Sequence, residues 1–244
     1  PVTFVALDTS VATVSTSGIV RARPYSGPAL RSTAILVSSG AGADTVPVSV
    51  LPVPAARVVA TPPSVTLTVG DTAVLLAEVQ NALGAPLTGR QTAWVVSDTA
   101  MLGVSATGVL RAKPYFGPLT REGFAIVFGG GAADSVAVTV LPLTPQSLIV
   151  TPAAVTMQPG GLRALAAVLR SAAGDSLVDF PLTWRSTDTT VARVSVAGEV
   201  TASFYVGPTA RSATIIAERD ALADSVAVTV EPLAVSRVVL APSD

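Results

Sequence analysis

The chain of 244 residues contains no histidine and no cysteine. Histidine is the residue whose ordinary pKa suits proton transfer near neutral pH, so its absence excludes Ser–His–Asp triads and histidine-ligated metal sites. The absence of cysteine excludes a thiol nucleophile and means that no disulfide stabilises the fold. The sequence therefore predicts a protein that is not an enzyme, with no catalytic residues, no metal site and no cofactor.

Charged and aromatic residues are also scarce, at 13% and 5% of the chain. The net charge of −1 offers no basic surface for nucleic acid or for anionic lipid. No segment approaches the roughly 18 consecutive apolar residues that indicate a membrane-spanning helix. We therefore expect no nucleic-acid partner and no membrane insertion.

Valine and alanine are the most frequent residues of the chain, and glycine and proline recur throughout it. Half of the residues are hydrophobic, and Gly and Pro each occur 19 times, a composition typical of many short strands joined by turns. Val136, Val138 and Val140 alternate with small or polar residues, as in a strand with one buried face. The sequence predicts an all-β fold with these valines facing inward. In the middle of the chain the apolar runs predict a first strand at 58–60 and 65–69, broken by Pro62-Pro63, and further strands near 73–79, 92–96, 101–105, 109–113, 124–128 and 135–141.

An internal repeat with a period of 90 residues organises the chain. Val50-Leu51-Pro52 recurs as Val140-Leu141-Pro142 and, with one change, as Val230-Glu231-Pro232. The same shift aligns Phe4 with Trp94 and Trp184, Asp8 with Asp98 and Asp188, Gly18 with Gly108 and Gly198, and Asp44 with Asp134 and Asp224. Solenoid units run to roughly 50 residues, whereas a unit of 90 is close to the size of a self-sufficient small β-sandwich.

The repeat divides the chain into four predicted parts. They are a partial module at 1–54 that lacks its first strands, modules at 55–144 and 145–234, and the first strand of a further module at 235–244. We refer to the first three parts as the first, second and third copies. The junctions between them are short and contain proline, which makes them semi-rigid spacers. We therefore expect a window on a longer array whose modules form an extended, fairly stiff string.

Several spaced positions together resemble bacterial Ig-like group 2 modules. In the second copy they are Gly70-Asp71-Thr72, Trp94, Ser97-Asp98-Thr99, Val104-Ser105, Gly108 and the closing valine strand. The third copy resembles the family still more closely, with Trp184 and Gly198-Glu199-Val200-Thr201-Ala202. The resemblance covers essentially the whole chain. It implies tandem immunoglobulin-like β-sandwich domains and an extracellular or cell-surface localisation, and it implies no particular ligand.

The aligned aromatic and acidic residues have structural interpretations. Phe4, Trp94 and Trp184 lie where such a sandwich buries an aromatic side chain on its third strand, so we interpret them as core aromatics rather than as a platform for ligands. The aligned residues Asp8, Asp98 and Asp188 precede turns, where aspartate binds backbone N–H groups.

A calcium site shared by the copies is disfavoured. Asp175 and Asp179 could begin one, but Ala85 and Gly89 replace them one repeat earlier, and calcium needs about six to eight oxygen ligands.

The most distinctive segment is a loop that contains all three tyrosines of the chain. Its three versions are Tyr25-Ser26-Gly27-Pro28 with Arg31, Tyr115-Phe116-Gly117-Pro118 with Arg121, and Tyr205-Val206-Gly207-Pro208 with Arg211. One interpretation is a structural corner, in which Tyr binds the loop backbone and Arg caps a strand end. The other is a repeated partner contact, since Tyr and Arg are frequent anchors of interfaces. We carry these six Tyr and Arg residues forward as candidate contact residues.

The scarcity of charge at the sheet edges bears on which partners cover the surface. Sheet edges are usually protected by charge, especially Lys, yet Lys113 is the only lysine. This favours cover by sister subunits, by neighbouring modules, or by glycans on Ser and Thr, although an ordinary uncharged surface is equally compatible. The leading function is a structural segment of an extracellular rod, stalk or filament. The alternatives are the spacer of a bacterial surface adhesin and a phage tail or capsid appendage.

Overall fold

The computed structural model describes residues 1–233, and these residues form strands and turns with no helix among them. The prediction of an all-β fold is confirmed. Within the described part of the chain, nothing has the helical length and hydropathy that crossing a membrane requires. The strand predicted at 235–244 lies outside the described residues.

The chain forms two compact units. One contains Pro1–Pro114 and Arg121–Leu141, and the other contains Tyr115–Thr120 and the described residues from Pro142 onward. The first two copies thus lie in one unit, except for the loop at 115–120 and residues 142–144, which group with the third copy. The module boundaries drawn from the repeat stay a prediction.

The first copy contributes five strands to the first unit. They are β1 (Val2–Ala6), β2 (Ala12–Val14), β3 (Val20–Ala22), β4 (Arg31–Ser39) and β5 (Gly42–Val50). The long strand β4 pairs antiparallel with β1 on one side and with β5 on the other, and β2 pairs with β3. Buried Val11, Ala12 and Ile35 mark the apolar face of this copy.

The second copy forms three sheets around one core. Its strands are β6 (Arg57–Thr61), β7 (Ser64–Thr68), β8 (Thr72–Val74), β9 (Leu76–Gln80), β10 (Thr92–Val96), β11 (Leu102–Val104), β12 (Val109–Ala112), β13 (Arg121–Gly129) and β14 (Ala132–Leu141). The sheet orders are β10-β13-β14-β7, β11-β12-β8 and β6-β9. All pairs are antiparallel except β14 with β7.

Two segments of the second copy cross between sheets, and each divides a strand that the sequence predicts as one. The predicted strand at 73–79 is instead two strands, β8 and β9, separated at Leu75. The Leu75 N–H donates to the Gly108 carbonyl at 2.8 Å, and the chain then leaves β12 to pair with β6. Pro62-Pro63 separates β6 from β7 in the same way, because β6 pairs with β9 whereas β7 pairs with β14.

The third copy repeats this arrangement in the second unit. Its strands are β15 (Ser147–Thr151), β16 (Ala154–Met157), β17 (Leu162–Ala164), β18 (Ala166–Arg170), β19 (Ser176–Leu177), β20 (Thr183–Ser186), β21 (Ala192–Val194), β22 (Glu199–Ala202), β23 (Arg211–Arg219) and β24 (Leu222–Val230). The sheet orders are β16-β24-β23-β20, β17-β22-β21 and β15-β18-β19, with β16 and β24 parallel.

The cores consist of the inward-facing residues of the long hairpins and of the strands packed against them. Val136, Val138 and Val140 are 0%, 1% and 2% exposed, which confirms that these valines face inward. Val226, Val228 and Val230 occupy the same places in the third copy and are equally buried. Burial of each such side chain contributes about 1.5–3 kcal/mol, so packing alone can hold these cysteine-free units together.

An aspartate at the start of the last hairpin strand ties that strand to the first strand of the same copy. Asp134 accepts a hydrogen bond from the Ala60 N–H at 2.8 Å, and Asp224 accepts one from the Val150 N–H at 2.7 Å. Both also accept from the N–H of the next residue. The repeat places these aspartates at equivalent positions, but only the structure shows that they bind the first strand.

Replacing Asp224 with alanine is expected to lower the free energy of unfolding of the third copy by about 1–3 kcal/mol. The reason is that the N–H of Val150, a residue only 4% exposed, loses its acceptor. Urea unfolding of the variant measures the change. Asp44→Ala is the matched control, because Asp44 accepts only from the adjacent Thr45 N–H among the described hydrogen bonds. Equal losses in both variants would contradict a role for the bond between the strands.

Candidate inter-module contact site

The tyrosine loops connect the third and fourth strands of the first copy, β3 and β4, and the corresponding strands of the other copies, β12 with β13 and β22 with β23. In each loop the tyrosine ring folds back over the glycine two residues later. A β-carbon at Gly27, Gly117 or Gly207 would collide with the hydroxyl oxygen of Tyr25, Tyr115 or Tyr205, respectively. The Tyr-x-Gly spacing therefore exists because only glycine leaves room for the ring.

The third loop shows how the tyrosine closes the turn. The Tyr205 hydroxyl donates to the Thr209 carbonyl, and the Thr209 N–H is 3.3 Å from the same hydroxyl oxygen. These are the local backbone bonds that the structural-corner interpretation predicts. They tie the two ends of this loop together.

The arginine after each loop braces a turn on the neighbouring strand connection. The guanidinium carbons of Arg31 and Arg211 lie 5.1 and 5.4 Å from the ring centres of Tyr25 and Tyr205, within the range of cation–π attraction. Arg31 also donates to the carbonyl and hydroxyl oxygens of Ser10, and Arg211 does the same to Thr190.

In the second copy the arginine binds a different group of the turn. Ala100 takes the place of Ser10 and Thr190 and has no hydroxyl group. Arg121 there pairs directly with the Asp98 carboxylate at 3.2 Å. The arginine position is thus shared by all copies, and the identity of the turn residue decides whether it binds a hydroxyl or a carboxylate.

The aspartates of these turns behave as the sequence predicts. Asp8, Asp98 and Asp188 each accept a hydrogen bond from the N–H two residues later, at 2.7–2.8 Å. The pKa of Asp8 lies below its ordinary value, first because the Ser10 hydroxyl donates to the carboxylate and then because the Ser10 N–H does. The pKa of Asp188 is lowered in the same way by Thr190. These carboxylates are anchors of turns.

The residue after the first tyrosine reaches the second copy. The hydroxyl oxygens of Ser26 and Thr88 are 2.8 Å apart and share a hydrogen bond. Arg90 of the second copy donates from its Nη2 atom to the Val53 carbonyl at 2.6 Å and to the Gly27 carbonyl at 3.5 Å. The first loop is therefore a contact between two copies within the first unit.

The corresponding residue of the second loop makes a corresponding contact inside the second unit. The Phe116 carbonyl accepts a hydrogen bond from the Val178 N–H at 2.9 Å. Phe116 aligns with Ser26 and Val178 aligns with Thr88, so both contacts join positions that are 62 residues apart. One contact uses hydroxyl groups and the other uses the backbone, but the place in the fold is the same.

The candidate core aromatics lie at the side of each core. Phe4, Trp94 and Trp184 are half-buried, and the two tryptophans pack against the core residues of their copies. The repeated glycine of the β-turn lies against each ring. An added β-carbon at Gly18, Gly108 or Gly198 would come within 3.1, 3.2 and 2.9 Å, respectively, of a ring atom.

No group of three or more acidic residues converges within residues 1–233 in a way that could hold a metal ion. Asp175 accepts a hydrogen bond from the Ser171 hydroxyl at 3.0 Å, which is a local bond within a turn.

The comparisons with known proteins concern the fold. No family model matches the chain, and no curated protein matches its sequence. Among solved structures, the chain is similar to surface layer protein SbsC, domains 1–6, with 16% identity over 96% of this chain and a TM-score of 0.37. It is similar to the protocadherin gammaB4 extracellular domain, with 15% identity over 96% of this chain and a TM-score of 0.39.

A third similar structure is the adhesin InvE of Yersinia pseudotuberculosis, with 18% identity over 71% of this chain and a TM-score of 0.37. The chain spans 35%, 45% and 58% of the lengths of these three proteins. Identities of this size and TM-scores below 0.5 transfer no function, so the function of this chain has to be argued from its own contacts. By its own strands and sheets, the chain is a set of tandem β-sandwich repeats.

Proposed function

We propose that this chain is a structural segment of an extracellular or cell-surface rod, stalk or filament built from Ig-like modules of the bacterial group 2 type. The observation that carries the proposal is the recurrence of one contact at one spacing. Ser26 with Thr88, and Phe116 with Val178, join the first two tyrosine loops to the same position of the following copy. A protein whose repeats are joined by the same loop contact is suited to a structural role as one continuous array.

Different residues of the loop make the contacts within a copy and the contacts between copies, which supports a structural role. Tyrosine and arginine bind inside their own copy, as Tyr205 with Thr209 and Arg211 with Thr190 show. The residue between tyrosine and glycine is then presented outward in a fixed position. Because the loop is held before it makes its outer contact, little conformational entropy is lost when the two copies meet. The candidate residues thus act as positioning residues, and Ser26 and Phe116 make the contact.

The surface outside the junctions bears on self-association. β1 and β10 stand at sheet edges and expose Val5 and Val95, which are 52% and 44% exposed. Uncharged edges of this kind are suited to sister subunits or neighbouring modules. We include lateral self-association, or cover by glycans on Ser and Thr, in the proposed function, and we assign the chain no enzymatic activity.

Small-angle X-ray scattering of the chain tests the rod. A compact globule of this length would have a radius of gyration of about 18 Å. We expect a value well above this, with a distance distribution that tails toward long distances, because the modules follow one another through short proline-containing junctions. A radius of gyration near that of the globule would contradict the proposal, since it would mean that the copies fold back on one another.

Electron microscopy of the native, full-length material then separates the proposed function from its alternatives. Ordered filaments with a regular axial spacing support self-assembly. Separate thin strings that end in a distinct tip domain would assign the chain to the spacer of an adhesin instead.

A further inference from the structure

The tyrosine loop of the third copy has its ring over the loop glycine, as the other two do, but no described residue covers it. Val206 is 80% exposed and Phe204 is 77% exposed. The aligned residue of the second loop, Phe116, is 38% exposed. The loop glycines show the same difference, since Gly27 and Gly117 are buried whereas Gly207 is half-buried. The third loop is therefore a formed contact surface on which nothing in the described residues is docked.

The first two loops identify the element that covers them. It is a three-residue turn, Leu87-Thr88-Gly89 in the second copy and Leu177-Val178-Asp179 in the third. The leucines are 7% and 6% exposed and anchor the turn in the core of its own copy. The β-branched residue that follows contacts the loop.

The last residue of this turn has the same backbone conformation in both copies. Gly89 has a φ of +66° and Asp179 has a φ of +60°, in the left-handed region that glycine, aspartate and asparagine tolerate best. A β-carbon on Gly89 would be 3.3 Å from the ring of Pro28, so the turn lies close against its loop. The covering element is thus defined by sequence and by shape.

We propose that the loop Phe204–Thr209 is a docking site for a further module of this repeat, joined to the third copy at the same spacing of 90 residues. The inference rests on the proposed function and names the surface through which the array continues. The incoming module presents a turn of Leu, a β-branched residue, and Gly, Asp or Asn. The N–H of the β-branched residue donates to the Val206 carbonyl, as Val178 donates to Phe116, and its leucine faces its own core.

A second copy of this chain is a poorer occupant. Its two turns of this type, at 87–89 and 177–179, already lie against loops within the described chain. The β-branched residue of each turn is engaged by one loop and is not free for another. An additional module brings a turn that has no loop of its own to bind.

The test compares the reactivity of one introduced thiol in two chains. Because the protein has no cysteine, Val206→Cys creates a single thiol. In the extended chain, residues 145–234 are repeated directly after residue 234, which places the appended Val178 62 residues after position 206. We expect alkylation of the thiol at position 206 to slow by about tenfold, equivalent to ~1.4 kcal/mol of docking. Val196→Cys, at a turn residue that is 93% exposed, is the control and should react equally fast in both chains.

Two further variants make the result decisive. Val178→Pro in the appended copy removes the donated N–H and should restore fast alkylation at position 206. A second extended chain carries residues 55–144 in place of the appended 145–234 and should protect the same thiol through its Thr88, so the outcome does not depend on one appended sequence. Circular dichroism reports whether each appended copy is folded.

Equal alkylation rates in the native-length chain and both extended chains would overturn the proposal. Protection of the position-206 thiol that rises with the concentration of the native-length chain would also overturn it, in favour of a second copy as the occupant. Neither result would affect the scattering test of the rod, so failure of this inference and failure of the proposed function are distinguishable.

Discussion

Replacing Gly108 with alanine is expected to lower the free energy of unfolding of the second copy by about 2–5 kcal/mol. Gly108 has a φ of +83°, which strains any residue with a β-carbon. The added carbon would collide with the Leu75 carbonyl oxygen and would lie 3.2 Å from Trp94 Nε1.

Neither neighbour of Gly108 can move away cheaply. Leu75 is fully buried, and its N–H is bonded to the Gly108 carbonyl at the point where the chain crosses between sheets. Trp94 is held by the core against which it packs. The collision must therefore be relieved by shifting the β-turn itself, which carries β11 and β12 with it.

Gly131→Ala is the matched control for this prediction. Gly131 has a φ of +85°, but nothing lies within 4 Å of its added β-carbon. The control should cost only the backbone strain, about 1 kcal/mol. Chemical denaturation followed by tryptophan fluorescence measures both variants. Equal losses would contradict the view that this glycine is required by its contacts with Leu75 and Trp94.

The fold could be predicted well from the sequence wherever burial follows a simple period. Alternation placed Val136, Val138 and Val140 inward, and the strand predicted at 92–96 is the strand that the structure shows. The prediction was wrong at 73–79, where Leu75 divides one apolar run between two sheets. Pattern alone could not show this, because a residue that crosses between sheets is as buried and as apolar as a residue within a strand.

The candidate site was only partly visible in the sequence. The shared Tyr, Gly, Pro and Arg positions drew attention to the loop, and in every copy the tyrosine ring lies against the glycine. The contact residues between them did not, since Ser26 and Phe116 have nothing in common as side chains. In the second loop the contact runs through the Phe116 carbonyl, and a backbone atom places no demand on residue type.

A disulfide between Ser26→Cys and Thr88→Cys is expected to form readily and to stabilise the first unit by about 4 kcal/mol, the chain-entropy value for a closed loop of this length. The native hydroxyl oxygens are 2.8 Å apart, so the two side chains already point at each other across the junction. Because the protein contains no other cysteine, the pairing is unambiguous.

Mass spectrometry with and without reductant establishes the bond, and urea unfolding of the oxidised and reduced forms of the same variant measures its effect. The reduced form is the matched control, because it carries both substitutions without the cross-link. If the junction is a fixed contact, the oxidised form unfolds at higher urea and the first and second copies lose structure in one transition. A variant that stays reduced under mild oxidant, or whose oxidised form gains no stability, would mean that the loop does not hold the two copies together, and the case for a stiff array would fail with it.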